Sequence, residues 1–146
     1  MTLVSARDQA DRVTRGLLIA LGLALALAPG RAAAYSSSTW YEGADGWDQA
    51  RRAQKAHGVP ILLYFTADWC APCHALDEVL EEREVRERLR GLIKVRIAPD
   101  DGEDEEALFV EEFGGHAFPT LLLVSPSGKR RRLSHGPADH LLRQLP

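Results

Sequence analysis

The only two cysteines of the chain stand three positions apart, in the run Ala67-Asp68-Trp69-Cys70-Ala71-Pro72-Cys73-His74. Two thiols at this spacing, at the start of a helix, can close into a disulfide and open again to a dithiol. A helix N-terminus carries unpaired backbone N–H groups and the positive end of the dipole. Cys70 is therefore expected to ionise below the usual thiol range and to act as the nucleophile. Cys73, one turn further in, is then the resolving thiol, which attacks a mixed disulfide on Cys70 and frees the partner. Pro72 suits the first helical turn, where its missing N–H costs nothing, and it stiffens the loop between the sulfurs.

Other chemistry is open to the same residues. A purely structural disulfide gains little here, because so short a loop hardly constrains the unfolded chain. Zinc needs four ligands, and the five histidines form no partner motif for the single cysteine pair, so no metal site is expected. Cys70 to His74 also spells C-x-x-C-H, the attachment pattern of covalent haem c, with both thiols as thioethers and His74 as axial ligand. A small haem protein wants a second axial ligand and a helical shell, whereas this motif follows a buried strand. The haem protein stands as the alternative reading, beside an interaction domain without turnover.

The elements that must hold the motif are legible from hydrophobic periodicity. Trp47, Ala50, Ala53 and Ala56 give a loose helical stripe ended by Gly58 and Pro60. Val59 and the continuous apolar run Ile61 to Phe65 predict a central strand covered on both faces, which delivers the chain to the cysteines. Leu76, Val79, Leu80, Val85 and Leu89 recur at helical spacing as far as Gly91. Leu92 to Ala98 alternates apolar and basic residues, predicting a strand with one wetter face, and Pro99 stops it. The acidic run Glu103 to Glu106 opens a helix carrying Ala107, Leu108, Val110 and Phe113. After Phe118-Pro119-Thr120 come a second buried strand, a turn at Ser125 to Gly128, a hairpin partner over Lys129 to Ser134, and a short helix bearing Leu141, Leu142 and Leu145. Strands alternating with helices and closing in a hairpin make an α/β sandwich around a mixed sheet.

The N-terminus bears on compartment. Arg7, Arg12 and Arg15 precede the apolar run Gly16 to Ala28, Pro29 and Gly30 break it, and Ala32 to Ala34 supply small residues at A-x-A spacing. Residues 1–34 are read as a secretory signal peptide, with an uncleaved anchor as the alternative. The run is shorter than the roughly 20 residues of a bilayer span, which excludes a multi-span membrane protein. Cleavage after Ala34 leaves 112 of the 146 residues, with Tyr35 to Thr39 as a flexible lead-in and one domain over 40–146. That portion holds 14 basic and 19 acidic residues, a net −5 that argues against nucleic acid as a partner. Lys129 to Arg132 is a basic cluster best read as an edge-protecting strand. Trp40, Tyr41 and Trp47 are assigned to the core.

ILLYFTADWCAPCH, followed about 45 residues later by FPTLLLVSPSG, resembles the thioredoxin superfamily over residues 40–146. The likeness is to its exported members, such as the C-terminal domain of the thiol:disulfide interchange protein DsbD. The resemblance implies an α/β thioredoxin-like fold, a mixed central sheet flanked by helices in three layers. It implies no cofactor beyond a redox-active Cys70–Cys73 disulfide. Pro119 matches the family's cis proline, which lies against that disulfide, with Phe118 before it, and Trp69 matches the aromatic that frames the partner surface. Tyr64 stands where members carry a buried acid. Asp68 is the nearest acid in sequence and takes a supporting role, while His74 replaces a common basic residue. By the same resemblance the substrates are protein thiols or disulfides, and a membrane electron carrier of DsbD type is the donor. An Ala-Pro loop without histidine between the thiols favours a reductant or relay over a strong oxidant. The implied setting is the bacterial periplasm, or the inner membrane facing it if the anchor stays. A monomer is expected.

Overall fold

The computed structural model describes residues 34–146; the reading of residues 1–33 as part of a signal peptide lies outside them. The sheet is built around β2 (Ile61–Phe65), whose five residues are all buried. Parallel to it lies β3 (Ile93–Ile97), in the register Ile61↔Ile93 to Phe65↔Ile97. On its other side β4 (Thr120–Val124) runs antiparallel, with Phe65 opposite Thr120. A hairpin leads on to β5 (Arg130–Leu133), and Gly128, at φ +82°, gives the turn its left-handed residue. The fifth strand, β1 (Trp40–Glu42), runs parallel to β3 at the opposite edge, giving the order β1-β3-β2-β4-β5. Three residues are too few to show a period, and no strand is predicted there from sequence.

Alternation along β2 divides the core in two. Leu62 and Tyr64 point to one face, where they meet Leu76 and Leu80 of α2 (Ala71–Glu81), Val85 and Leu89 of α3 (Arg83–Leu89), and Leu141 of α5 (Ala138–Leu142). Ile61, Leu63 and Phe65 point to the other, against Trp47 and Ala50 of α1 (Gly43–His57) and against Phe109. Helices thus cover both faces of a mixed sheet in three layers, as expected.

The acidic run forms α4 (Glu103–Ala107), which continues into a wider π-type turn over Leu108–Glu112. Gly115 follows because only a glycine fits there: a Cβ would overlap the Phe109 ring.

Of the two basic segments, β3 departs from its sequence pattern, and β5 is the expected exposed edge strand. The wetter face predicted for β3 is not wet at Lys94, which is 3% exposed. Its Nζ donates to the carbonyls of Ser37, Leu89 and Leu92, at 2.6, 3.4 and 3.3 Å. Because β3 lies between β1 and β2, the ammonium finds carbonyls instead of water. Those contacts also reach the segment before β1, where the Ser37 N–H donates to the Arg90 carbonyl at 3.0 Å. On β5, Arg130 pairs with Glu112 at 3.0 Å, Arg131 donates to the Gln144 carbonyl at 2.6 Å, and Arg132 donates to Thr120 Oγ1 at 3.0 Å.

Candidate active site

The motif occupies the C-terminal end of β2. Thr66 makes one last sheet bond, its N–H to the Ile97 carbonyl at 3.0 Å, and the Cys70 N–H then closes a turn onto the Ala67 carbonyl. Cys70 is the N-cap residue of α2, with extended backbone, and its Sγ accepts the N–H of Cys73 at 3.2 Å. A sulfur has taken the place usually held by a serine or aspartate oxygen. Pro72 sits in the first turn of α2, as the spacing predicts. Cys70 and Cys73 are joined in a disulfide with their Cα atoms 5.2 Å apart. Cys73 is fully buried, while Cys70 keeps a 3% opening to solvent.

The neighbouring strand supplies the second part of the site. Register sets Thr120 opposite Phe65, so Pro119 stands just beyond the end of β2 from which the motif departs. The Phe118–Pro119 peptide bond is cis. Thr120 fastens this corner by donating its hydroxyl to the Ala117 carbonyl at 2.7 Å while accepting from Arg132.

Trp69, 70% exposed, stands edge-on to Phe118 with ring centroids 5.5 Å apart, and Phe118 in turn stacks on Phe109 at 4.8 Å. The Trp69 indole N–H donates to Asp100 Oδ2 at 2.5 Å. A large exposed aromatic held at both its ring edge and its N–H keeps one orientation.

Beneath the cysteines, the Tyr64 hydroxyl donates to the Cys73 carbonyl at 3.2 Å. Burial pushes the Tyr64 phenol up to about 12, so it remains a neutral donor at ordinary pH. Arg96 lies over the rings of Trp40 and Tyr64, 5.1 and 5.6 Å from their centroids, and pairs with Asp77 at 3.1 Å. Asp68 is exposed, and its backbone carbonyl, 2.9 Å from His74 Nε2, is what the histidine meets.

Asp77, Arg96, Asp100 and Phe109 are not singled out by sequence. Asp77 could have been found, since it lies four residues after Cys73 on the same helix face. Arg96 could not, because its place beside Tyr64 depends on the β2–β3 register.

A buried strand running into a helix that one cysteine of a disulfide caps, with a cis proline heading the adjacent antiparallel strand, defines the thioredoxin class of fold. Residues 39–126 match the family described as thioredoxin-like, and the chain belongs to that family. The thiol:disulfide interchange protein DsbD of Campylobacter jejuni is 24% identical over 108 residues, which is 72% of this chain but 19% of that protein. The thioredoxin of Haemophilus influenzae is 39% identical over 67 residues, 45% of this chain and 57% of that one. The chain thus spans about a fifth of the DsbD relative's length. Among solved structures, the oxidised C-terminal domain of Neisseria meningitidis DsbD superposes with a TM-score of 0.64 at 24% identity, covering 73% of this chain and 96% of that domain.

Proposed function

We propose that the domain is a thiol–disulfide oxidoreductase that reduces protein disulfides, or relays electrons to them, outside the cytosol. The observation that carries this reading is the Cys70 sulfur in the N-cap position of an eleven-residue helix, accepting the Cys73 N–H. In the reduced protein the same donor and the helix dipole favour a Cys70 thiolate. That thiolate attacks one sulfur of a client disulfide, forming a mixed disulfide and expelling the other sulfur as a thiolate. Cys73, deprotonated in its turn, attacks Cys70 Sγ, closing the internal disulfide and releasing the second client thiolate. The client gains two electrons and, after protonation, two hydrogens; the pair loses the same. A dithiol donor, of DsbD type by resemblance, restores the reduced state through the reverse exchange.

Trp69, Phe118 and Pro119 form the client surface in this reading. Pro72 stiffens the loop, and Asp68, exposed beside the motif, supports proton exchange through water. No cofactor beyond the disulfide takes part. The haem alternative has less support: the two sulfurs are bonded to each other, and both cysteines are packed in the core with Tyr64 and Leu76. Export, suggested by the N-terminal segment and the DsbD likeness, belongs to the same proposal.

The test is mixed-disulfide trapping. Cys73→Ser should accumulate a reductant-sensitive adduct through Cys70, and Cys70→Ser should accumulate none; the opposite pattern overturns the assignment.

A further inference from the structure

Trp69 and Val110 are the two large apolar side chains that stay exposed among the described residues, at 70% and 51%. Both border one groove. It is a shallow trough of about 460 Å³ between the turn at Pro99–Asp101 and the α4 segment, with Phe109 and Phe118 as its floor and Val110 along its wall. Trp69 adjoins it at the Phe118 and Asp100 end, touching both.

The rest of the lining is acidic. Asp100, Glu103 and Glu106 face the groove, and no lysine, arginine or histidine lines it. The first turn of α4 favours carboxylates, but that does not decide which way each one turns. Glu105, the carboxylate that serves the fold, turns the other way and accepts the Ala44 N–H at 2.9 Å. Glu103 and Glu106 are exposed and meet no cation among the described residues. Asp100 gives one oxygen to Trp69 and keeps the other.

An apolar floor under a one-signed rim selects a ligand with both characters. We infer that this groove seats an extended segment of the client polypeptide carrying an apolar side chain flanked by lysine or arginine, next to the cysteine under attack. The inference rests on the thiol–disulfide reading for the client's identity, but the groove's preference is a binding property that stands or falls separately. The apolar residue covers Phe109 and Val110, and the cation meets Glu103 and Glu106. Trp69, fixed by Asp100, joins the groove to the Cys70 side of the site.

The experiment uses the full oxidised chain and two short dye-labelled peptides, each with serine in place of the reactive cysteine. One carries leucine between lysines; the other carries leucine between glutamates. Fluorescence anisotropy should show the lysine peptide binding more tightly, with a preference that shrinks as salt rises. Glu103→Gln/Glu106→Gln should weaken the lysine peptide about two- to tenfold, as for two exposed charge pairs. Val110→Lys should weaken it as well. Reduction of a small aromatic disulfide should stay at the wild-type rate in both variants, which also reports that they fold.

Equal binding of the two peptides, or unchanged binding in Glu103→Gln/Glu106→Gln, overturns the groove assignment. A wild-type protein that prefers the lysine peptide yet reduces no disulfide upholds the groove and overturns the oxidoreductase reading.

Discussion

The Tyr64 hydroxyl donates to the carbonyl of Cys73 at 3.2 Å, so a neutral phenol supports the turn that bears the buried cysteine. Removing it in Tyr64→Phe should lower the unfolding free energy of the oxidised protein by about 1 kcal/mol, the net worth of one such bond, measured by urea denaturation. An unchanged midpoint would deny the bond any structural role.

The same phenol sets an alkaline limit. Its folded value of about 12 lies above the 10.0 of a free tyrosine, so both states hold the proton below pH 10 and the unfolded chain releases it first above that. This contribution to stability is complete below pH 10 and lost as pH rises toward 12, by at most about 3 kcal/mol. Stability curves for wild type and Tyr64→Phe should cross within that window, because a loss of up to about 3 kcal/mol exceeds the roughly 1 kcal/mol by which the wild type leads at lower pH.

Lys94 acts in the opposite sense. Burial, with repulsion from Arg90, lowers its ammonium from 10.5 to about 8, so between those values the unfolded chain binds the extra proton. Stability from this group is fully present above pH 10.5 and lost as pH falls toward 8. Lys94→Met should remove that slope, read as unfolding midpoint against pH; a slope equal to wild type would place the titration elsewhere.

Trp69 and Asp100 form a joint that can be loosened without touching sulfur. Asp100→Ala, which removes the acceptor, should leave the melting temperature within about 2 °C, because exposed hydrogen bonds add little, while raising KM for a protein client and sparing small disulfides. Loss of activity on both substrates would refute the division between client surface and thiol chemistry.

The Cys70–Cys73 couple is expected near the thioredoxin range of about −270 mV, because no histidine lies between the sulfurs to stabilise the reduced form. Equilibration against a glutathione or dithiothreitol buffer measures it. A value close to −120 mV would reverse the electron flow proposed above.

Sequence made the central elements legible wherever burial imposes a period. The apolar run at Ile61 to Phe65, the spacing of Leu76, Val79 and Leu80, and the strand after Pro119 are one-dimensional signals of a covered sheet. The cysteine pair was equally plain, since few other residue sets permit reversible bonding at that spacing. What escaped depends on pairing between distant segments. Trp40–Glu42 becomes a strand only because β3 offers it an edge. Lys94 reads as a wet residue until three carbonyls converge on its nitrogen. Asp100 lies 31 residues from Trp69, and nothing local announces their contact.

At β5 the fold meets a hazard common to open sheets, an outermost strand whose free peptide groups could recruit the same strand of another molecule. Three consecutive guanidinium groups, each already fixed by a partner in its own domain, line that border. A second molecule adding there would have to strip water from a row of cations whose attachments are already made. Fibre-like stacking along this side is therefore expected to be disfavoured even in concentrated solution.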